Sequence, residues 1–293
     1  MERQNRPTQS LVKTSDDGAP TFGRISRRQF LLRTLAPVGL VAFDEVMEET
    51  NVIRVVTQRL PTPGLNAPMR VAQLSDLHRS WCVSEGFIAR IVARTNDLNP
   101  DLILLTGDFV TRSSSYIGSC IRPLTALRAK YGMYGILGNH DYACDKGRGI
   151  GIIKEALKSI GVQLLTNRSM RLAHGLRLVG VDDSQKGQPD PDAAFKRVRR
   201  GEAVLAMTHN PSLFPALCRY DCVTLAGHTH GGQINVPFVT RSVMPVRSRY
   251  LRGWFNEKHG PGRMYVTCGL GVVGLPFRFR CDPEISIFDL HPA

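Results

Sequence analysis

A chain of 293 residues that is 42% hydrophobic and 22% charged has ordinary globular composition, which excludes a low-complexity or disordered protein. Seven cysteines, odd in number and without a Cys-x-x-Cys spacing, exclude a disulfide framework as the organising principle. The formal charge of +13 belongs to the chain beyond residue 50, since seven basic and seven acidic side chains cancel before it, and such a surface concentrates anionic partners.

The first fifty residues are a different material. Residues 1–25 are polar and rich in turn formers, and Ser26-Arg27-Arg28-Gln29-Phe30-Leu31-Leu32 follows. Paired arginines ahead of a Phe-Leu step resemble a twin-arginine export signal. The apolar stretch 31–43, interrupted by Arg33, is shorter than the about 20 residues a membrane span needs. It suits the apolar region of a signal peptide, with Ala42 as the residue before a cut. Residues 1–50 are read as a signal or anchor segment and 51–293 as one domain. Export to the periplasm or the outer face of a bacterial cytoplasmic membrane is expected, with attachment to the cytoplasmic side as the alternative.

Beyond residue 50, strand-like runs alternate with helical periodicity. Apolar runs at 71–74, 102–105, 134–137, 204–207 and 222–226 read as strands. The segment 84–98 sets Phe87, Ile88, Ile91, Val92 and Leu98 near one helical face and stops at Asn99-Pro100. Segments 148–160 and 191–200 are predicted helices, and the runs 175–181, 263–268 and 284–290 predict strands of a second sheet. Strands alternating with helices predict βαβ units and an α/β fold.

Each of the first five runs ends in a polar cluster. These are Asp76-Leu77-His78, Gly107-Asp108, Gly138-Asn139-His140-Asp141, His209-Asn210 and Gly227-His228-Thr229-His230. In an open α/β sheet, ligands bind at the carboxyl ends of strands. Two carboxylates, one amide and four imidazoles make seven oxygen or nitrogen donors with no thiolate among them. A closed structural zinc site takes four ligands and favours cysteine, whereas mixed oxygen and imidazole donors suit catalytic manganese, iron or zinc. Seven donors point to a pair of ions, which at roughly 3.5–4 Å apart can clamp a phosphoryl group. His140 is left over beside Asn139, as a general acid or transition-state stabiliser would be.

The ordered string Asp-x-His, Gly-Asp, Gly-Asn-His-Asp, His and Gly-His-x-His resembles the calcineurin-like metallophosphoesterases over about residues 52–290. With its export-like N-terminus and the ending Gly269-Leu270-Gly271 … Pro283-Glu284-Ile285, it looks like a bacterial branch that includes exported phosphodiesterases and UDP-diacylglucosamine hydrolases. The resemblance implies a four-layer α/β/β/α sandwich of two mixed sheets. It implies two divalent metal ions, one held by Asp76, His78 and His230 and the other by Asn139, His209 and His228, with Asp108 bridging. A hydroxide between the ions would attack a phosphodiester or pyrophosphate, while His140, supported by Asp141, serves the leaving oxygen. The family often carries a second acidic residue three positions after the bridging one. Here that position is Thr111.

Partners are expected to be anionic phosphoesters, met by a monomer. Between Cys222 and Asn256 there is no acidic residue, and Arg241, Arg247, Arg249 and Arg252 alternate with Phe238, Tyr250, Trp254 and Phe255. Such a stretch can meet a membrane surface or lipid headgroup, or stack and neutralise a nucleic-acid strand. A nuclease-type phosphodiesterase and a non-catalytic, metal-stabilised polyanion- or lipid-binding protein are the rival readings. The cluster Lys196-Arg197-Val198-Arg199-Arg200 reads as an exposed helix end, and no essential disulfide is expected.

Overall fold

The computed structural model describes residues 52–235 and 249–293. The expected signal or anchor segment lies outside the described residues, as do Phe238, Arg241 and Arg247. Among the described residues no helix is long and apolar enough to cross a membrane.

The first described elements are β1 (Arg54–Thr62), β2 (Met69–Leu74) and α1 (Glu85–Asp97). α1 begins where the Ser84 hydroxyl accepts from the Phe87 N–H at 3.1 Å, satisfying one donor of the first turn. It ends before Asn99, which takes a left-handed φ of 48°, and Pro100. Then follow β3 (Leu102–Leu105), α2 (Ile117–Leu124), β4 (Met133–Gly135), α3 (Asn139–Ala143), α4 (Ile150–Ser159) and β5 (Val162–Leu164). The second half holds β6 (Arg168–Arg171), β7 (Leu176–Gly180), α5 (Pro191–Phe195), β8 (Ala203–Met207) and α6 (Phe214–Leu217). It closes with β9 (Val223–Ala226), β10 (Gly253–Asn256), β11 (Arg263–Val266) and β12 (Glu284–Pro292).

Among the described residues two six-stranded mixed sheets result, in the orders β1-β12-β2-β3-β4-β5 and β10-β11-β9-β8-β7-β6. β2 to β5 are parallel in the first sheet, and β11, β9, β8 and β7 are parallel in the second. Alternation along each strand sorts side chains into layers, because successive Cβ atoms point to opposite faces. Leu102 and Leu104 pack between the sheets with Leu176, Leu205, Leu225 and Phe288. Ile103 and Leu105 face the other way, onto Ile88 and Ile91 of α1, Leu124 of α2 and Ile153 of α4. In β8, Ala203, Leu205 and Met207 face the first sheet, while Val204 and Ala206 meet Phe195 of α5 and Phe214 of α6. Helix, sheet, sheet and helix therefore stack as four layers, the expected sandwich. Leu104 has no exposed surface, so cutting it to alanine would cost about 2–5 kcal/mol.

Two expectations are corrected. The strand at 284–290 belongs to the first sheet, where β12 lies parallel to β1 and antiparallel to β2. Its inward and outward residues fill both neighbouring layers, Ile285 and Ile287 against the helices and Phe288 and Leu290 between the sheets. The helix expected over 191–200 stops at Phe195. Continuing it would stack Lys196 on Arg200 at i,i+4, a like-charge pair that disfavours helix. Instead Val198 N–H turns back to Phe195 O, and Arg199 N–H donates to Glu202 at 3.0 Å.

The basic aromatic stretch is also not a display of rings where it is described. Tyr250 is buried and stacks edge-on with Phe214 and Phe255, and Trp254 packs against Tyr265 and Phe288. Trp254 Nε1 donates to Gln58 at 3.1 Å, and Arg249 lies 3.3 Å from Glu257. These aromatics tie β10 to the core.

Candidate metal centre

All five polar clusters meet at one end of the sandwich, because β2, β3, β8 and β9 are parallel within their sheets and end there, and α3 starts beside them. Thr106 N–H donates to Leu74 O and Thr208 N–H to Leu225 O, so the loops after neighbouring strands leave their sheets together. The two sheets are joined at this end by Gln73, whose amide donates to Thr106 Oγ1 and to Ala226 O.

The loops turn sharply. Asp76, His78, Asp108, His228 and His230 all lie in the left-handed region, with φ of 56°, 47°, 57°, 72° and 52°. Non-glycine residues rarely adopt it, and each such position costs on the order of 1–3 kcal/mol unless surrounding structure holds it. Two glycines make room for this packing. A methyl at Gly138 would run into the Asp108 carboxylate, and one at Gly227 into Ser75 and the Asp76 carboxylate.

The side chains converge. Asp76, His78 and His230 bring ligand atoms within 4.8 Å of one another, and Asp108, His209 and His228 do the same. His78 Nε2 stands 3.4 Å from Asp108 Oδ2, 3.8 Å from Asp76 Oδ1 and 3.0 Å from His230 Nε2. His209 Nε2 lies 3.0 Å from Asp108 Oδ2 and 4.0 Å from Asp76 Oδ1. Asn139 Oδ1 and His228 Nδ1 are 2.8 Å apart. These side chains thus come together in one place, with Asp108 within reach of both His78 and His209.

The donor set fits a pair of metals. His209 is sealed from solvent, and its Nε2 has no aligned hydrogen-bond partner despite the nearby Asp108 oxygen. A buried polar nitrogen left unmatched is costly unless something else binds it. Oriented imidazoles are the second sign. His209 Nδ1 is held by Thr106 O at 2.8 Å and His78 Nδ1 by the Thr111 hydroxyl at 2.7 Å, so Nε2 of each points at the carboxylates. Thr111 thus fills the supporting position in which an acidic residue was expected.

Electrostatics separate the histidines. Burial, with further help from neighbouring cations, keeps three of them neutral: His78 falls well below its ordinary value, His228 to about 4 and His230 to about 3. Burial pushes His209 the same way, but the charges of Asp108, Asp76 and Asp183 overcome it and raise it to about 10. Burial opposes ionisation of Asp108, yet His209 and His78 hold its carboxyl well below the usual range. Without metal, the bridging carboxylate is therefore an anion beside an imidazolium.

His140 sits at the rim, half-buried, with its ring edge-on to His78 at 4.8 Å. A ring nitrogen of His140 also comes within 4.8 Å of ligand atoms of His78 and Asp108. The expectation that Asp141 supports the His140 ring is corrected. Its buried carboxylate accepts from the N–H groups of Asp108, Phe109 and Gly138, each at 2.9 Å, and pins the Asp108 loop to the start of α3. No hydrogen bond joins it to the His140 ring among the described residues. His140 is placed through its backbone instead, where its N–H donates to Asp108 Oδ1 at 2.8 Å.

Residues 69–232 match the model of the calcineurin-like phosphoesterases. The chain belongs to that family. It is 30% identical to an uncharacterized metallophosphoesterase of Bacillus subtilis, YkuE, over 91% of this chain and 98% of that one. It is 33% identical to the phosphodiesterase YaeI of Escherichia coli, over 91% of this chain and 99% of that one. A third relative, 28% identical over 75% of this chain and 82% of its own, is the UDP-2,3-diacylglucosamine pyrophosphatase LpxG of Chlamydia muridarum. As a calcineurin-like phosphoesterase the protein is a hydrolase that uses two divalent metal ions.

Three neighbours of this phosphoesterase centre were not singled out from the sequence. Asp183 is fully buried just past β7; its Oδ2 accepts from Gln185 and Lys186 N–H, while its Oδ1 has no partner. Asp182 accepts the Tyr142 hydroxyl at 2.5 Å and so ties the loop after β7 to α3. The strand-end rule that found the five clusters would have found this pair too. Arg278, with no exposed surface, donates to Gly271 O at 2.6 Å and to Cys281 O at 3.1 Å, and lies 3.4 Å from His230 Nδ1. Nothing in its local sequence marks it.

Proposed function

We propose that the protein hydrolyses a phosphodiester or pyrophosphate bond in an anionic lipid-linked substrate, such as a nucleotide-sugar-lipid headgroup, at a bacterial membrane surface. The observation that carries the hydrolytic part is the convergence of Asp76, His78, Asp108, Asn139, His209, His228 and His230 on one buried cluster with His140 at its mouth. Support for a lipid-linked pyrophosphate comes from the relative named as a UDP-2,3-diacylglucosamine pyrophosphatase, and for a diester from the one named as a phosphodiesterase.

Asp76, His78 and His230 would hold one divalent ion, and Asn139, His209 and His228 the other, with Asp108 shared. When bound, such ions neutralise phosphoryl charge and make a water acidic enough to act as nucleophile near neutral pH. The chain's own residues do the rest. His78, His228 and His230, kept neutral by burial, present lone pairs without first losing a proton, whereas His209 gives one up. Asp141 holds the Asp108 loop at a fixed distance from α3. His140, reached from solvent, donates a proton or hydrogen bond to the departing oxygen. The basic exterior draws the anionic substrate in, an attraction that weakens as salt rises.

Residues 1–50 are proposed to be a twin-arginine signal or an uncleaved anchor, and 51–293 the phosphoesterase domain. The apolar stretch 31–43 and the paired Arg27-Arg28 support this reading. The test is turnover of an aryl phosphodiester and of a lipid-linked nucleoside pyrophosphate by the manganese-, iron- or zinc-loaded protein, beside His140→Ala. The variant should keep its metals and lose about 10²–10⁴-fold in turnover. Metal loss in His140→Ala would show that His140 is a ligand. Turnover of the diester alone would remove the lipid-linked assignment.

A further inference from the structure

Away from the metal centre, the outer face of the second sheet carries a cleft of about 1040 Å³ between its edge strand β6 and the segment that follows α5. Six cations line it: Arg168, Arg171, Arg177, Lys196, Arg197 and Arg199. Among the described residues, the lining contains no acidic and no aromatic side chain. The carboxylate that reaches it from beside the cleft is Glu202, and it is already engaged. Glu202 takes both nitrogens of the Arg177 fork, at 2.5 and 2.9 Å, and the Arg199 backbone N–H. Among the described residues, no carboxylate pairs with the side chains of Lys196, Arg197 or Arg199. Ser169, also in the lining, has a shielded hydroxyl without a hydrogen-bond partner.

Concentrating like charges around a concave surface raises the energy of the empty protein, and a multiply charged anion relieves it. We propose that this cleft is a second, non-hydrolytic site for a multiply charged phosphate anion. Its size is that of a small-molecule pocket. Guanidinium forks match phosphate oxygens two at a time, and five of the six cations are arginines. A single nucleic-acid strand is disfavoured as occupant, since no ring is present on which bases could stack. Hydrolysis in the cleft is disfavoured too, because no imidazole or carboxylate lines it to hold a metal or move a proton. None of the lining residues belongs to the metal-ligating clusters, so the cleft is a separate site. The helix expected over 191–200 would have pointed these cations around a cylinder. Its early stop at Phe195 lays Lys196, Arg197 and Arg199 along the cleft instead. The phosphate can arrive free or as the headgroup of an anionic lipid.

The test is calorimetric titration of the full-length, metal-loaded protein with tripolyphosphate, free metal being held constant. It compares wild type, the triple variant Arg168→Gln/Lys196→Gln/Arg197→Gln, and Asp108→Asn. The triple variant should lose about tenfold or more in affinity, since each cation facing an anionic surface contributes separately. It should hydrolyse an aryl phosphodiester at the wild-type rate, which also shows that it folds. Asp108→Asn should bind tripolyphosphate at the cleft as wild type does. Unchanged affinity in the triple variant, or abolished binding in Asp108→Asn, overturns the proposal. Sedimentation with vesicles of equimolar phosphatidylcholine and phosphatidylglycerol distinguishes the sources. Weaker sedimentation of the triple variant identifies a lipid headgroup, and unchanged sedimentation alongside lost tripolyphosphate binding identifies a free phosphate compound. A thymidine oligonucleotide that binds the cleft more tightly than tripolyphosphate, with affinity growing with length, refutes it in favour of nucleic acid.

Discussion

Thr111→Val isolates the orienting of one candidate ligand. The substitution keeps the branched shape and removes the hydroxyl that receives the His78 Nδ1–H at 2.7 Å. His78 has no exposed surface, so water does not replace the lost partner. A buried N–H without an acceptor costs about 1–3 kcal/mol. Without metal, the variant escapes that cost by moving the proton to Nε2, where Asp108 Oδ2 at 3.4 Å and His230 Nε2 at 3.0 Å wait. Metal binding through Nε2 forbids this escape, so the loss falls on affinity. About 10–100-fold weaker metal binding is expected, the usual size for a lost outer hydrogen bond to a ligand histidine. That is ~1.4–2.8 kcal/mol, within the cost of the orphaned N–H. Competition with a chromogenic chelator measures it, with Thr111→Ser as the variant that restores the hydroxyl. Affinity within about twofold of wild type in Thr111→Val would refute the reasoning, because a factor of two is below any hydrogen bond of this kind. So would a Thr111→Ser that is as weak as valine.

Asp141→Asn should destabilise the fold by about 2–6 kcal/mol in urea unfolding, because its amide N–H groups would face two of the donors that the carboxylate now receives. A change below about 1 kcal/mol would mean that Asp141 does not pin the Asp108 loop. Metal loading at pH 8 should release about one proton through His209, whose value of about 10 keeps it protonated until a metal takes Nε2. Unbuffered titration with an indicator dye reads this directly, and no release would remove the imidazolium. The same pair governs stability without metal. A raised His209 stabilises the fold fully below the unfolded value of about 6.5 and loses that contribution as pH rises through about 10. The depressed Asp108 works in the opposite direction, its contribution disappearing as pH falls through the carboxylate range. The melting temperature of the metal-free protein should therefore fall between neutral pH and pH 10, while the loaded protein holds. Equal slopes for both forms would contradict the pairing.

Candidate ligands and the class of fold were legible in the local pattern. Short apolar runs such as 102–105, bounded by turn residues, read as strands sealed on both faces, and the turn at each strand end carries the polar groups that the core rejects. Asp76, His78, Asp108, Asn139, His209, His228 and His230 stood at such ends, and the stacking of two sheets gathers them. The rest depends on pairing between distant segments. The place of β12 in the first sheet follows from two-sided packing against β1 and β2, which its own alternation does not reveal. The role of Asp141 was misread because its neighbour in sequence is His140, whereas its partners in space are the N–H groups of a loop about 30 residues earlier. Arg278 reaches the centre from a segment whose local pattern says nothing of it, whereas Asp183 stands just past a strand end and was legible by the same rule. The cleft at β6 exists because like charges halted a helix at Phe195 and the chain then ran along a sheet edge that no local window contains. Local chemistry selects residue types, but which donors meet and how far apart they stand is set by long-range packing.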